Sequence, residues 1–265
     1  MINNSKIWIV SDVDGTLMDH FYDLSPAKET INWLQIIGIP VILCTSKTKS
    51  EVKIIRDDLN LKDPSIVENG GAIYGEHSDG EEWEIILGKS YPILEKILNN
   101  LSDNINFKLR PLNTLSDEEA TNLTGLVGPS LNLMRDRHWS MPFLNPPDTF
   151  DEDLKRLCEI YDVDIFRGNR MSHLLSKNSN KGIAIKKLLN KNKNYDVEII
   201  GLGDSPNDLP LLINSNYKIV ISGIKGPNHL LLNELKGTKF CISKKPHGYG
   251  WKDEVFKLVT KLLNT

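Results

Sequence analysis

Short apolar runs alternate with amphipathic stretches in both terminal parts of the chain. Residues 7–10 (IWIV), 41–44 (VILC) and 198–203 (EIIGLG) are rich in bulky or β-branched side chains and predict buried strands. Residues 25–38 begin with Ser-Pro, carry apolar side chains at helical spacing and end in glycine, which predicts a helix. A second helix is predicted near residues 51–59. This alternation is typical of βαβ units and therefore predicts a parallel sheet.

The middle of the chain follows a different pattern. After an Asn-Gly-Gly break, residues 72–74 and 83–87 predict a hairpin. Beyond the hairpin we predict a mixture of helices and strands, at residues 91–101, 116–119 (a capping box at a helix start), 151–161, 163–166 and 172–175. The Asn/Lys-rich stretches predict loops, at residues 177–180 and 190–194.

The predicted fold class is α/β, a Rossmann-like parallel sheet sandwiched by helices, with an inserted α+β cap. We predict that residues 1–87 and 177–265 form the core and that residues 88–176 form the cap. A chain of 265 residues with 40% hydrophobic residues is long enough for one large and one smaller domain.

Charge and cysteine usage narrow the class of protein. The formal charge of −3 gives no support for nucleic acid or an anionic membrane as a partner. Cys44, Cys158 and Cys241 are widely spaced in apolar contexts, so we expect small buried side chains rather than disulfides or a zinc site. The sequence shows neither a signal segment nor an apolar run that could span a bilayer, and a cytoplasmic location is expected.

Two carboxylates directly follow the first predicted strand. Asp12 and Asp14 would lie at the carboxyl end of that strand, where open α/β sheets bind their ligands, and Gly15 permits a sharp turn. One carboxylate can act as a nucleophile and the other can transfer a proton. Because such crowding of acids is costly without a cation, the pair implies a hard metal such as Mg²⁺. The alternative is an acidic turn with no catalytic role.

Three further segments carry matching chemistry. The Thr45 hydroxyl follows the second strand and can donate to phosphate oxygens, and Lys181 at a helix start can reach an anion. Asp204, Asn207 and Asp208 follow the third strand and offer oxygen ligands to a metal. Two of these segments have a simpler alternative, namely a solvated lysine at position 181 and a polar loop at residues 204–208. Since each segment ends or flanks a predicted strand or begins a helix, one sheet could bring them together.

These segments resemble the motifs of haloacid-dehalogenase-superfamily phosphatases. Residues 12–16 resemble the first motif, Thr45 the second, Lys181 the third and residues 203–208 the fourth. The resemblance implies that Asp12 forms an aspartyl-phosphate, that Asp14 is the acid and base, and that Thr45 and Lys181 hold the phosphoryl oxygens. It also implies Mg²⁺ as the cofactor, held by Asp12, Asp14 through its backbone carbonyl, and Asp204, with Asp208 behind them.

Other segments resemble the mannosyl-3-phosphoglycerate phosphatase branch of that superfamily. They are residues 43–52, 66–74, 135–143 and 166–170. The sequence departs from that branch at Met141, at Asn169 and at residues 171–172. The resemblance implies a glycosyl-3-phosphoglycerate as substrate. Because the departures lie in segments expected to face the substrate, the choice between a mannosyl and a glucosyl group stays open.

Arginines in the predicted cap are the natural partners of a substrate carboxylate, because a guanidinium pairs with it through two hydrogen bonds. Arg135, Arg137, Arg167 and Arg170 lie in two segments, with Arg167 and Arg170 favoured by the resemblance. The alternative is that they are ordinary surface charges. The expected substrate contacts are Ser46, Asn69, Arg135, Arg167, Gly168, Arg170 and Asn207.

Aromatic and imidazole side chains add weaker signals. Trp139 and Trp251 could line a sugar site or pack in a core. Residues 246–251 predict a loop that could approach the active site. We expect structural roles for His138 and His173, because the implied mechanism already has its acid and its base.

Three functions remain open from the sequence. The first is hydrolysis of a phosphorylated glycosyl-glycerate, and the second is a related reaction, such as a sucrose-phosphate phosphatase or a phosphohexomutase. The third is a non-catalytic binding protein, which the presence of Asp12, Asp14, Lys181 and Asp204 disfavours. A dehalogenase is disfavoured because that branch lacks the acid assigned to Asp14. The sequence does not fix the oligomeric state.

Overall fold

The computed structural model describes residues 6–19, 21–77, 79–168, 170–192 and 196–264. Its strands are β1 (Ile7–Ser11), β2 (Val41–Cys44), β3 (Ser65–Val67), β4 (Ala72–Glu76), β5 (Glu82–Ile86), β6 (Met141–Leu144), β7 (Val163–Arg167), β8 (Met171–Ser176), β9 (Glu198–Gly203), β10 (Tyr217–Ser222) and β11 (Cys241–Pro246). Its helices are α1 (Ser25–Ile36), α2 (Lys49–Asp58), α3 (Tyr91–Asn104), α4 (Asp117–Thr124), α5 (Pro129–Arg135), α6 (Asp151–Tyr161), α7 (Lys181–Asn192), α8 (Leu209–Ile213), α9 (His229–Glu234) and α10 (His247–Leu263).

The large sheet has the strand order β11-β10-β9-β1-β2-β3-β4-β5. Strands from β11 to β3 pair in parallel, while β4 and β5 form the predicted antiparallel hairpin. Because β1 lies between β9 and β2, the residues that follow these three strands emerge side by side. Ligands of open α/β sheets bind at this kind of edge, beyond the carboxyl ends of the strands.

Both faces of the central strands β1, β2 and β3 are buried, whereas the edge strands β5 and β11 are largely exposed. On one face Ile9 packs in a cluster with Leu43 and Trp251. On the other face Trp8 and Val10 pack with residues of α7 and α8. Trp251 is fully buried in the first cluster, so of its two predicted roles the structure shows core packing.

The inserted part contains a second, antiparallel sheet with the order β6-β8-β7. Helices α3 and α6 pack with this sheet around a separate apolar cluster that includes Leu98, Phe143 and Leu157. Helix α4 begins with the predicted capping box between Ser116 and Glu119. A parallel sheet with helices and an inserted α+β cap confirms the predicted fold class.

Some local expectations were wrong. Residues 246–251 are not a loop, since α10 begins at His247 and its first residues approach the end of β1. Cys241 is exposed on β11, because that strand lies at the edge of the sheet. The loop expected at residues 190–194 is still helical to Asn192, and residues 193–195 lie outside the described part. Among the described residues, no helix has the length and apolar character needed to cross a membrane.

Candidate active site

Three neighbouring strand ends bring the predicted catalytic residues together. Asp12 directly follows β1, and its backbone N–H donates to the Leu202 carbonyl of β9 at 2.9 Å. Thr45 follows β2 and is fully buried, with its N–H donating to the Ile66 carbonyl at 3.0 Å. Asp204 follows β9. These backbone hydrogen bonds fix the positions of the side chains before any ligand arrives.

The turn after Asp12 requires glycine at position 15. Gly15 has a φ of +80°, and a Cβ there would lie 2.6 Å from the Asp204 carboxylate. The next residue, Thr16, donates its hydroxyl to Asp204 Oδ1 at 3.1 Å. The Gly15 carbonyl lies 2.9 Å from Nδ1 of His247, at the start of α10. The turn therefore packs directly against the Asp204 carboxylate, and His247 at the start of α10 contacts it from the other side.

Lys181 is not a solvated lysine but a buried one. Its side chain is inaccessible, and Nζ donates to Asp12 Oδ1 and to Asp208 Oδ1, each at 2.6 Å. Burial alone would lower the pKa of Lys181, but the charges of Asp12 and Asp208 raise it above its ordinary value. The ammonium group therefore stays charged beside the proposed nucleophile.

Asp12, Asp204 and Asp208 form a compact acidic cluster. Each offers an oxygen within 4.8 Å of the others, which is a donor set that suits a hard divalent cation. Burial and Asp208 raise the pKa of Asp12 to about 7, although Lys181 lowers it. Burial, Asp208 and Asp12 also raise the pKa of Asp204 well above its ordinary value. A bound cation would relieve this crowding, so the residues fit the expected metal.

Asp208 is the rigid member of that cluster. Its Oδ2 accepts the backbone N–H groups of Asp204 and Ser205, both at 3.0 Å, while Oδ1 accepts from Lys181. The loop after β9 therefore closes on its own carboxylate. This arrangement makes Asp208 an orienting group for Lys181 and for the loop, with its oxygens already engaged.

The Asp14 carboxylate points away from the cluster. It is 44% exposed, and its Oδ1 lies 3.0 Å from Nζ of Lys47, which also pairs with Glu51 at 3.4 Å. Although burial lowers the pKa of Lys47, Asp14 and Glu51 raise it, so Lys47 is a charged partner for Asp14. We did not predict Lys47 or Glu51 as site residues. The available signal was their place just beyond Thr45, at and before the first turn of α2.

A cavity of about 270 Å³ lies between this strand edge and the cap. The core side is lined by Asp14, Gly15, Asp19, Tyr22, Ser46, Lys47, Glu51, Asp204 and Ser205. The cap side is lined by Thr124, Leu126, Met134, Arg137, Gly168, Arg170, Met171 and His173. Expected substrate contacts at Ser46, Gly168 and Arg170 therefore face one space together with Asp14 and Asp204.

Two of the four cap arginines, Arg135 and Arg167, are not among the residues that line this cavity. Arg135 pairs with Asp117 at 2.6 Å and donates to the Leu115 carbonyl. Arg167 pairs with Asp148 and donates to the Pro146 carbonyl. Each of these two side chains is paired with a carboxylate and a carbonyl of the cap, although Nε of Arg135, like Nε of Arg137, has no hydrogen-bond partner among the described residues. Arg137 and Arg170, by contrast, line the cavity.

A buried turn at residues 68–71 connects the core with the cap. The Glu68 carboxylate accepts the backbone N–H groups of His138 and Trp139, at 2.9 and 3.1 Å, and the Ser140 hydroxyl at 2.6 Å. Sequence reasoning did not single out Glu68 itself, because its partners lie about seventy residues along the chain. The turn therefore fixes the cap segment that carries Arg137.

The next residue of that turn, Asn69, is an expected substrate contact that does not line the cavity. Its Oδ1 accepts from Asn207 Nδ2 at 3.1 Å, so it positions the loop after β9. Trp139 packs against the α-carbons of Gly71 and Gly88, and its Nε1 donates to the Tyr74 hydroxyl at 2.9 Å. Trp139 thus anchors the cap rather than lining a sugar site. Asn169 lies outside the described residues.

Comparison with known proteins gives three informative matches. The model of the family described as haloacid dehalogenase-like hydrolase matches residues 9–123 and 132–222. The chain is 29% identical to the glucosyl-3-phosphoglycerate/mannosyl-3-phosphoglycerate phosphatase of Persephonella marina, over 96% of this chain and 97% of that protein. A protein of the same name from Methanococcoides burtonii is 28% identical over 96% and 97%.

A solved structure shows the same fold. The sucrose-phosphatase of Synechocystis, determined with sucrose and phosphate, superposes with a TM-score of 0.64 at 15% identity, covering 95% of this chain and 97% of that one. These matches confirm the predicted superfamily, whose phosphatases generally use a divalent metal, and the acidic cluster fits one. The chain belongs to the haloacid dehalogenase-like hydrolase family and is a phosphoric monoester hydrolase.

Proposed function

We propose that this enzyme hydrolyses glucosyl-3-phosphoglycerate, mannosyl-3-phosphoglycerate or both, to the glycosylglycerate and phosphate. The observation that carries the proposal is that two phosphatases with these named activities match nearly the whole chain, cap included. A cavity that combines core carboxylates with cap arginines supports it, because such a substrate carries a phosphate, a carboxylate and sugar hydroxyls. Neither nucleic acid nor a membrane has a part in this proposal.

The proposed reaction has two steps. Asp12 attacks phosphorus in line, forming an aspartyl-phosphate, while Asp14 gives a proton to the departing glycerate oxygen. Asp14 then removes a proton from water, whose oxygen attacks the phosphorus and frees the Asp12 carboxylate. Lys181, held 2.6 Å from Asp12, and the buried Thr45 hydroxyl would hold the phosphoryl oxygens.

We propose Mg²⁺ as the metal of this site. The residues that would hold it are Asp12, the Asp14 backbone carbonyl and Asp204, with Asp208 and Asn207 behind them. The metal would supply charge neutralisation between the nucleophile and the phosphate, as a Lewis acid and template. The geometry supports this role because three carboxylates converge beside only one buried ammonium group among the described residues of the cluster.

We also propose that residues 88–176 act as the specificity cap on the core of residues 1–87 and 177–265, and that the cap closes over the substrate to exclude water. The cap side of the cavity supports this division, because its lining residues come from positions 124 to 173.

Phosphate release tests the proposed function. The purified chain is assayed on glucosyl- and mannosyl-3-phosphoglycerate, with Mg²⁺ and with a chelator, against a panel of sugar phosphates that includes sucrose phosphate. Metal-dependent release that strongly favours the glycosyl-glycerates is expected. Equal or better release from plain sugar phosphates would instead assign a general sugar phosphatase, and return of phosphate to the sugar would assign a mutase. No release from any substrate would favour a binding protein.

A further inference from the structure

Arg137 is a buried cation at the cavity without an acidic partner. The residue is only 7% exposed, yet it belongs to no ion pair in the part of the chain that the structure describes. Its Nε also has no hydrogen-bond partner there. A buried guanidinium normally pairs with a carboxylate or phosphate, because removing the charge from water is costly. The charge of Arg137 is therefore uncompensated by the described residues, which favours the binding of an anion at this position.

The guanidinium is held in place by neutral groups only. Nη1 donates to the Ser46 carbonyl at 2.9 Å and to the Ser140 hydroxyl at 3.1 Å. Ser140 in turn donates to Glu68, so the segment is fixed from the core. These contacts use both N–H groups of Nη1, and Nε is closed off from solvent, so Nη2 is the donor that remains for a ligand at the cavity. A carboxylate suits this position, because it can accept a charge-assisted hydrogen bond from Nη2 and compensate the buried positive charge.

The other charges around the cavity favour a single position for a substrate carboxylate. Asp14, Asp19, Glu51 and Asp204 line the core side and repel an anion, and Lys47 is already engaged by Asp14 and Glu51. The imidazole of His173 lies in the same lining, and burial and then Arg137 lower its pKa to about 3. His173 is therefore a neutral hydrogen-bonding neighbour and leaves the positive charge to Arg137.

The position of Arg137 also matches the shape of the substrate. Ser46, whose carbonyl it contacts, directly follows Thr45 of the phosphate site. In a 3-phosphoglycerate the carboxylate and the phosphate lie at opposite ends of one short carbon unit, so both anions must bind close together. Arg170, which is exposed and donates to the Thr124 carbonyl, lies with the outer part of the cavity lining.

We propose that Arg137 binds the carboxylate of the glycerate group and so determines selectivity for phosphoglycerates over neutral phosphate esters. This inference rests on the proposed function. It assigns the role to an arginine that the sequence ranked behind Arg167 and Arg170, and it leaves Arg135 and Arg167 as structural residues of the cap.

The test compares two substrates that differ in one group. Glucosyl-3-phosphoglycerate is matched with the corresponding glucosylglycerol phosphate, in which a hydroxymethyl group replaces the carboxylate. The ratio of kcat/KM values is measured for the wild type, for Arg137→Gln and for Arg135→Gln as the control two residues away. In Arg137→Gln we expect a loss of about 100-fold on the carboxylate substrate and less than about 3-fold on the neutral one. The ratio should stay unchanged in Arg135→Gln.

The possible results distinguish failure of the role proposed for Arg137 from failure of the proposed function. Equal losses on both substrates in Arg137→Gln would assign a purely structural role and overturn the inference, while a wild-type preference for the carboxylate substrate would keep the proposed function. A wild type that does not prefer the carboxylate substrate would overturn both. Arg137→Lys keeps the charge but loses the guanidinium, which holds Ser46 and Ser140 through Nη1 while Nη2 faces a ligand, so a loss on the carboxylate substrate alone would support recognition by a guanidinium.

Discussion

The core and the cap differ in whether their positively charged side chains are paired with carboxylates. In the core, Lys47 in the cavity lining contacts Asp14 and Glu51, and Lys181, which does not line the cavity, contacts Asp12 and Asp208 at 2.6 Å. On the cap side Arg137 and Arg170 line the cavity without a carboxylate partner among the described residues. The lysines of the core are therefore already paired with carboxylates beside an acidic cluster that carries excess negative charge, whereas the cap presents arginines without a carboxylate partner.

This difference agrees with the proposed division between catalysis on the core and recognition by the cap. Paired charges on strand ends are fixed before binding, which suits groups that must be oriented for the chemical step. Cations without partners gain most when an anionic substrate arrives, which suits groups that choose the substrate. Changes on the core side should therefore act on kcat, and changes on the cap side should act mainly on KM and selectivity.

The largest effect is expected on the core side, for Asp12→Asn. Removing the nucleophile should lower kcat by about 10⁴-fold or more on every substrate, because no aspartyl-phosphate can form. The fold should survive, since the substitution also removes one charge from a crowded cluster. Steady-state kinetics and circular dichroism check both parts. Substantial turnover by a folded variant would exclude Asp12 as the nucleophile.

Breaking the link between the two sides should have a smaller effect on activity. Glu68→Gln replaces a carboxylate that accepts three hydrogen bonds from the cap with an amide that can accept at only one atom. We expect the free energy of unfolding to fall by about 2 kcal/mol and kcat/KM to fall about 10-fold. Denaturant unfolding and kinetics measure this. Glu84→Gln, the same change at an exposed strand position, is the control, and equal effects in both variants would contradict the proposed link.

Arg167 and Arg170 lie three residues apart in the cap and provide a matched pair of variants. Arg170→Gln should raise KM about 10-fold with little change in kcat, since Arg170 lines the cavity. Arg167→Gln should leave KM unchanged and lower stability by less than about 1 kcal/mol, because its ion pairs are at the surface. Kinetics of both variants on the same substrate would decide. A larger KM effect in Arg167→Gln would reverse the assignment.

The smallest effect concerns His173 and pH. Burial and Arg137 lower its pKa from 6.5 to about 3. Below pH 6.5 the unfolded chain therefore binds a proton that the folded chain excludes, so its contribution to stability is complete above that pH and declines as pH falls. Between pH 7 and 5.5 the wild type should lose about 1 kcal/mol more unfolding free energy than His173→Gln. Parallel denaturant titrations check this, and identical slopes would contradict it.

The grouping of the proposed catalytic residues was predictable because it depends on local pattern. Asp12, Thr45 and Asp204 each follow an apolar run, and a parallel sheet necessarily gathers the ends of such runs. The burial of Lys181 was not predictable from its own surroundings, since a lysine at a helix start is usually solvated. Its location follows from α7 packing against the end of the sheet, a long-range contact.

Which of the cap arginines line the cavity could not be predicted from the sequence, for a related reason. Four arginines have similar local contexts, and the choice among them depends on Asp117 and Asp148, which satisfy Arg135 and Arg167 from other elements. The same limit applies to Cys241, whose exposure follows from the position of β11 at the sheet edge. The contacts of the arginines and the exposure of Cys241 both depend on residues and strands that are distant in the sequence.

The turn at residues 68–71 has a consequence for exchanging caps between members of this family. Glu68 binds the cap segment, Asn69 binds Asn207, and Gly71 receives Trp139. A Cβ at Gly70 would lie 2.4 Å from the Asn180 backbone, directly before Lys181. These four consecutive residues are thus fitted both to the cap and to two catalytic segments of the core. In a chimera that carries the cap of another family member, the contacts between this turn and the cap would be mismatched unless the turn and residues 138–140 come from the same protein.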